Sequence, residues 1–372
     1  MNPNLVEKIS LLQLYFLIIL FQIGSAVVVG IAMEARQDAW LAILIATAIG
    51  VGITYMYLFI LSFQEEKNLF EIYGLTAGRY VAILLTFIYI IYFLYIAARV
   101  LRDFLELLIT DVYPHTPIEV LAISFMLAVI YIIYLGPEVL ARISETFVPY
   151  IMIFLVALGF FLFAGGDVNF TNLRPILAEG MGPVWEAVFP GLIGFPFGEA
   201  IVLTLFMVLS KKKQKTPKIT LLAVISTGII LILFKTIKVA VLGVNTVTRS
   251  TFPLLMAARE VSFANFIERI DAIVIFVMML GIFVKVSIFY YGGLKGLEYI
   301  FNIPYRYFSI PIGLIVAIFS ILISANYSEH IEEGLNFVPM YLHMPLQIGI
   351  PLLFAIIIFF KKRQKRGEQL DD

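Results

Sequence analysis

The chain is 372 residues long, 61% hydrophobic with a mean hydropathy of +0.99, and only 14% charged, a balance that excludes a soluble globular domain and describes a polytopic membrane protein. A formal net charge of zero offers no electrostatic footprint to nucleic acid, and the absence of cysteine excludes a disulfide framework, a thiol nucleophile and cysteine metal sites. The three histidines, His115, His330 and His343, are far apart in sequence and fall near expected outer loops, so neither a metal nor a cofactor is expected.

In chain order the apolar pattern gives ten segments, at 11–33, 40–63, 80–108, 118–135, 146–164, 185–209, 219–244, 270–294, 309–325 and 340–360. Each is long enough to cross a bilayer as a helix, so the expected fold is an all-α integral membrane protein of ten transmembrane helices in a single domain, 1–372. Segment one exceeds a signal-peptide core, although Gly24-Ser25-Ala26 resembles a cleavage site, and it is read as a retained helix. Basic residues set the orientation. With the N-terminus inside, the inner regions hold Lys8, Lys67, Arg79, Arg142, Lys211, Lys212, Lys213, Lys215, Lys218, Lys295, Arg306 and the run 361–366. The outer regions hold only Arg36, Arg174, Arg249, Arg259 and Arg269, and the positive-inside rule then puts both termini in the cytoplasm. KKKQKTPK marks a cytoplasmic loop, with a lipid-headgroup role the weaker reading, and 361–372 is a tail first basic and then acidic.

Segment six is interrupted. It reads FPGLIGFPFGEAIVLTLF, with Pro190, Gly191, Gly194, Pro196 and Gly198 ahead of a carboxylate, Glu199. Proline removes an N–H and clashes with the preceding turn, and glycine costs backbone entropy, so two half-helices around an unwound stretch are expected. In lipid such backbone must line a cavity or be buried in protein. Segment one, LYFLIILFQIGSAVVVGIAM, has Gln22, Gly24 and Ser25 at its centre and holds the matching place in the first half. Ten helices divide five and five, and since five is odd the second half runs inverted. Broken helices one and six thus point to an inverted-repeat transporter fold, with repeats near 11–164 and 185–360 and a site at the midplane. Close helix packing is the alternative use of single glycines.

QIGSAVVVG in segment one, the outer phrase NLRPILAEGMGPVWEA, the GFPFGE break, the basic loop and FIERIDAIVIF entering segment eight together resemble the B subunits of spore germinant receptors. These are the spore germination permeases of the amino acid, polyamine and organocation transporter superfamily. The resemblance covers nearly the whole chain. It implies a LeuT-type fold in the inner membrane of an endospore, acting with an A subunit and a C-subunit lipoprotein to sense an amino acid or other small nutrient.

The residues agree with a zwitterionic ligand. A helix resuming near Ala26 exposes N–H groups that suit a carboxylate, and the carbonyls near Ile193 and Gly194 suit an ammonium. Gly24, Ser25, Ala26 and Gly194 leave room for backbone approach, while Phe195, Phe197, Tyr290 and Tyr291 either close over a side chain or pack. Glu199 has two readings: it caps the resumed helix six, or it is a buried carboxyl that exchanges a proton or meets a ligand ammonium. Lys285, deep in segment eight, either replaces a coupling cation between helices one and eight or snorkels to the headgroups. Arg99, Arg102, Asp103 and Glu106 read as a solvated outer extension of helix three, and Lys235 and Lys238 as a structural pair that snorkels or meets acids such as Asp271. Glu268, Arg269 and Asp271 resemble the family's helix-eight entrance and suggest an outer-gate ion-pair network.

Two function classes remain, a signalling receptor subunit on a transporter fold and a proton-coupled amino acid permease. An intramembrane enzyme lacks a nucleophile–base pair or metal-ligand spacing here. Fold alone does not choose between the first two.

Overall fold

A computed structural model describes residues 7–164, 168–260 and 271–371, with side chains to 364. Within them the chain is helical, and its one extended pairing is an isolated bridge between Ile9 and Ser210. The membrane elements are α1 (Leu11–Ile23), α2 (Ala39–Leu61), α3 (Arg79–Leu107), α4 (Ile118–Leu135), α5 (Pro137–Ala164), α6 (Gly182–Met207), α7 (Thr216–Leu242), α8 (Asp271–Phe301), α9 (Arg306–Leu322) and α10 (Tyr327–Gln364). Eight described stretches are long and apolar enough to cross a membrane, and the two shorter apolar helices, α1 and α9, complete the expected order.

Local chemistry sets the boundaries. Ser10 opens α1 with a capping box: its hydroxyl accepts the Gln13 N–H at 3.1 Å, and the Gln13 side chain accepts the Ser10 N–H at 2.9 Å. Asn68 and Glu71 make the same reciprocal cap on a short helix, Leu69–Ala77, that the hydropathy pattern does not single out. Gly136 joins α4 to α5 at φ 118°, a conformation closed to residues with a Cβ, so α5 starts at Pro137 rather than near 146.

Small residues let the central helices meet. A Cβ on Gly281 of α8 would stand 2.5 Å from the Gly24 Cα, so α1 and α8 cross backbone to backbone. Farther along α8, Gly292 and Gly296 receive Phe93 and Ile90 of α3.

The polar ends fall on two faces. On one, the Ile9 N–H donates to the Leu209 carbonyl, Arg306 pairs with Glu7 at 2.9 Å, and Lys362 reaches the Ser62 carbonyl. This face also holds the loop 211–215 and is called here the basic face. On the opposite face Arg36 pairs with Glu179 at 2.7 Å, the Asp38 carboxylate accepts the Leu177 N–H, and Arg259 pairs with Asp111 at 2.6 Å.

Two further expectations change in detail, and a third falls partly outside the described residues. The first apolar segment is not one helix, because α1 stops at Ile23 and regular winding resumes only as a single 3₁₀ turn at Arg36–Asp38. The last begins well before 340 and is wound with π-type spacing over Glu333–Gly349, around Pro339 and Pro345. Segment eight was expected from 270, which lies outside the described residues, and α8 is described from Asp271.

Candidate functional site

The break in α6 is where the sequence places it. Phe195 has extended backbone (φ −124°, ψ 121°) inside otherwise helical chain, as does Phe189 one turn and a half earlier. Its glycines serve the fold. A Cβ on Gly194 would meet the His343 ring at 2.9 Å, and one on Gly198 would meet the Gln347 amide at 2.1 Å. Two side chains four residues apart on α10 therefore seat against two glycines four residues apart on α6. From α2, the buried Tyr57 hydroxyl bonds to the carbonyls of both Gly198 (2.9 Å) and Gln347 (2.7 Å), tying the two backbones together. The Ile193 and Gly194 carbonyls, expected to be free for an ammonium, instead take the Gly198 N–H, because the chain re-enters a helix within one turn.

Glu199 follows directly. Its carboxylate lies 2.6 Å from the Lys285 ammonium of α8, with both side chains buried. The same ammonium stands 4.1 Å from the Phe195 ring centre and 5.4 Å from that of Phe21 on α1, so three helices converge on it. Lys285 has no exposed surface, which removes the snorkelling reading.

A cavity of about 370 Å³ sits against this break. Its walls include Ser25, Phe195, Glu199, Arg99, Asp103, His330 and His343, and residues 29–34 and 248–251 line it as well. Of the expected ligand residues, Ser25, Phe195 and Glu199 line it, and Gly24, Ala26, Ile193, Gly194, Phe197, Tyr290 and Tyr291 do not. Gly24 is consumed by contact with Gly281, and Phe197 packs on Gly50 of α2. Tyr290 donates to the Ser309 carbonyl, and Tyr291 packs between Phe206 and Tyr305, both toward the basic face. The helix expected to resume at Ala26 does not form. Instead α1 runs out in turns: the N–H groups of Val27 and Val29 bond four residues back to the carbonyls of Ile23 and Ser25, and that of Val28 three back to Ser25, so these groups are not free for a carboxylate.

A family model described as "Spore germination protein" matches residues 8–328. The chain belongs to the spore germination protein family. It is 36% identical over 97% of its length to spore germination protein KB of Bacillus subtilis (strain 168), 97% of which is covered. It is 25% identical to spore germination protein A2 of the same strain, over 88% of this chain and 87% of the relative. Among solved structures it is similar to that of MhsT in complex with L-phenylalanine, with a TM-score of 0.67 at 14% identity, covering 95% of this chain and 88% of that one. The likeness shows a LeuT-type fold with broken first and sixth helices.

In this spore germination protein several wall residues escape sequence reasoning. Arg99 and Arg102, read as a solvated extension, are buried. Arg99 pairs with Glu333 at 2.9 Å and donates to the His330 carbonyl, while His330 Nε2 lies 3.0 Å from the Asp103 carboxylate, so α3 and α10 are joined beside the cavity. His330 and His343, placed near loops, are buried because α10 begins early. Among the described residues Lys235 and Lys238 form no ion pair. The Lys235 ammonium donates to the Ile31 carbonyl at 2.6 Å and that of Lys238 to Val27 at 3.0 Å, satisfying backbone that the end of α1 leaves open. Asp271 pairs with Arg259 at 3.6 Å, and the Asp111 hydrogen bond holds the Arg259 guanidinium above its usual range. Glu268 and Arg269 lie outside the described residues.

Proposed function

We propose that this chain is the ligand-binding B subunit of a spore germinant receptor, taking a small zwitterionic nutrient, an amino acid, into the cavity at the α6 break. The observation that carries the reading is a cavity of about 370 Å³ whose wall holds the broken helix and a carboxylate, Glu199, in a LeuT-type fold. Membership of the spore germination protein family supplies the physiological setting. Glu199 presents negative charge to a ligand ammonium, and Lys285 behind it keeps that charge compensated while the cavity is empty.

The basic face is cytoplasmic on the positive-inside rule, so the opposite face is the side from which a nutrient arrives. The halves 11–164 and 185–360 act as the two repeats, and residues 361–372 extend into the cytoplasm as a tail. The setting is the inner membrane of the endospore. Signalling passes to A-type and C-type subunits, because the described residues form membrane helices and short connections with no separate signalling module. Equilibrium binding to the purified full chain tests this. At least one free L-amino acid binds wild type, Glu199→Gln loses that binding, and A-type and C-type subunits co-purify from spores. Accumulation of the same amino acid in proteoliposomes containing this chain alone would instead support the permease reading.

A further inference from the structure

A closed triangle of side chains beside the α6 break is separate from the Glu199–Lys285 ion pair. Gln347 Nε2 donates to the Tyr92 hydroxyl at 2.7 Å and lies 3.0 Å from His343 Nδ1, while the Tyr92 hydroxyl lies 2.8 Å from that same Nδ1. With the Gln347 amide placed nitrogen-first, which leaves its Oε1 buried without a partner, Nδ1 is the acceptor, its one lone pair shared between the amide and the Tyr92 hydroxyl, and a neutral imidazole that accepts at Nδ1 carries its proton on Nε2. Tyr92 and Gln347 stand behind the cavity wall, whereas His343 is part of it. Nε2 has no hydrogen-bond partner among the described residues, and it is not one of the partnerless polar atoms sealed from all contact.

The arrangement is rigid on three sides. Gly194 and Gly198 hold no side chain where the ring and the amide sit, Tyr57 fixes the Gln347 carbonyl, and the Tyr92 ring meets the imidazole edge-on. A donor held this firmly adds an N–H point to a wall whose carboxylates are Glu199, Glu34 and Asp103, the last already engaged by His330. Lys285 is already taken by Glu199 and Arg99 by Glu333, while Arg249, the remaining basic residue of the lining, is exposed on the segment 248–251.

We propose that His343 is a ligand-recognition residue. Held in its Nε2–H tautomer by Tyr92 and Gln347, it donates to a carboxylate oxygen of the bound nutrient. This rests on the reading of the cavity as a nutrient site and adds the group that reads the ligand's acid end.

The test uses the full chain in detergent with L-alanine, L-leucine and L-phenylalanine as probes. His343→Gln places an amide N–H near the position of Nε2, and His343→Asn reaches only as far as Nδ1. Loss of one hydrogen bond to a charged acceptor predicts at least about a tenfold weaker Kd for His343→Asn, with His343→Gln within about threefold of wild type. Nitrogen-15 spectra of histidine-labelled protein give a second readout, in which His343 shows the Nε2–H form and loses it in Gln347→Leu. Equal affinity of the two variants, or an Nδ1–H form in wild type, would overturn the assignment. Failure of wild type to bind any of the three probes would overturn the nutrient reading and this inference with it, an outcome told apart because wild type and variants then fail alike.

Discussion

Lys285 and Glu199 hold two opposite charges 2.6 Å apart with both residues buried, a geometry in which neither residue tolerates loss of the other. Removing one partner of a buried pair strands the other and costs about 3–5 kcal/mol, whereas replacing both with apolar residues is often neutral. Lys285→Met and Glu199→Leu should therefore each lower the thermal unfolding temperature of purified protein, and Lys285→Met/Glu199→Leu should recover most of the loss. Additive losses in the double variant would contradict the pairing. Gly24 shows how a residue-level reading shifts once its neighbour is known. From the sequence it is space for a ligand, but a Cβ there would sit 2.9 Å from the Gly281 carbonyl oxygen. Gly24→Val should reduce the amount of folded protein in the membrane, while Gly52→Ala, with nothing within 4 Å of the added Cβ, should leave it unchanged. Western blotting of membrane fractions compares the two.

At the scale of elements, α1 ends early and α7 makes good the deficit. The carbonyls of Val27, Val29 and Ile31 face the ammoniums of Lys238 and Lys235, which are buried one turn apart. Each carbonyl left without a donor costs about 1–3 kcal/mol, so Lys235→Met/Lys238→Met should destabilise the protein and make 24–35 the first site of limited proteolysis. An unchanged cleavage pattern would show that other groups satisfy that backbone. The two breaks were unequally legible. Stacked prolines and glycines forbid a continuous helix whatever surrounds them, which is why the α6 interruption can be read from one line of sequence. What fills the interruption cannot. Gly194 and His343 are distant in the chain, and their contact depends on the π-type winding of α10 around Pro339 and Pro345, a register that no local pattern announces. The failed helix after Ala26 has a similar cause, because its competing hydrogen bonds come from Lys235 and Lys238 on another element.

For the whole molecule, α10 touches the cavity at both ends. Near its start His330 and Glu333 engage Asp103 and Arg99 of α3, and farther along His343 and Gln347 lie in the α6 break. With no native cysteine, the chain is already a clean background for cross-linking. Asp103→Cys/His330→Cys joined by a short bis-thiol reagent should slow amino-acid association, measured by stopped-flow fluorescence, and reversing the link should restore it. An unchanged rate would place the entrance elsewhere. The continuity of α10 has a kinetic consequence. A ligand cannot be gripped at the floor independently of the threshold it crossed, since a single rod carries both the latch and the jaw. Arrival and departure then share one obstacle, and variants that loosen the α3–α10 contacts should speed both, leaving the sensitivity of a spore to its nutrient nearly constant while altering how promptly it wakes.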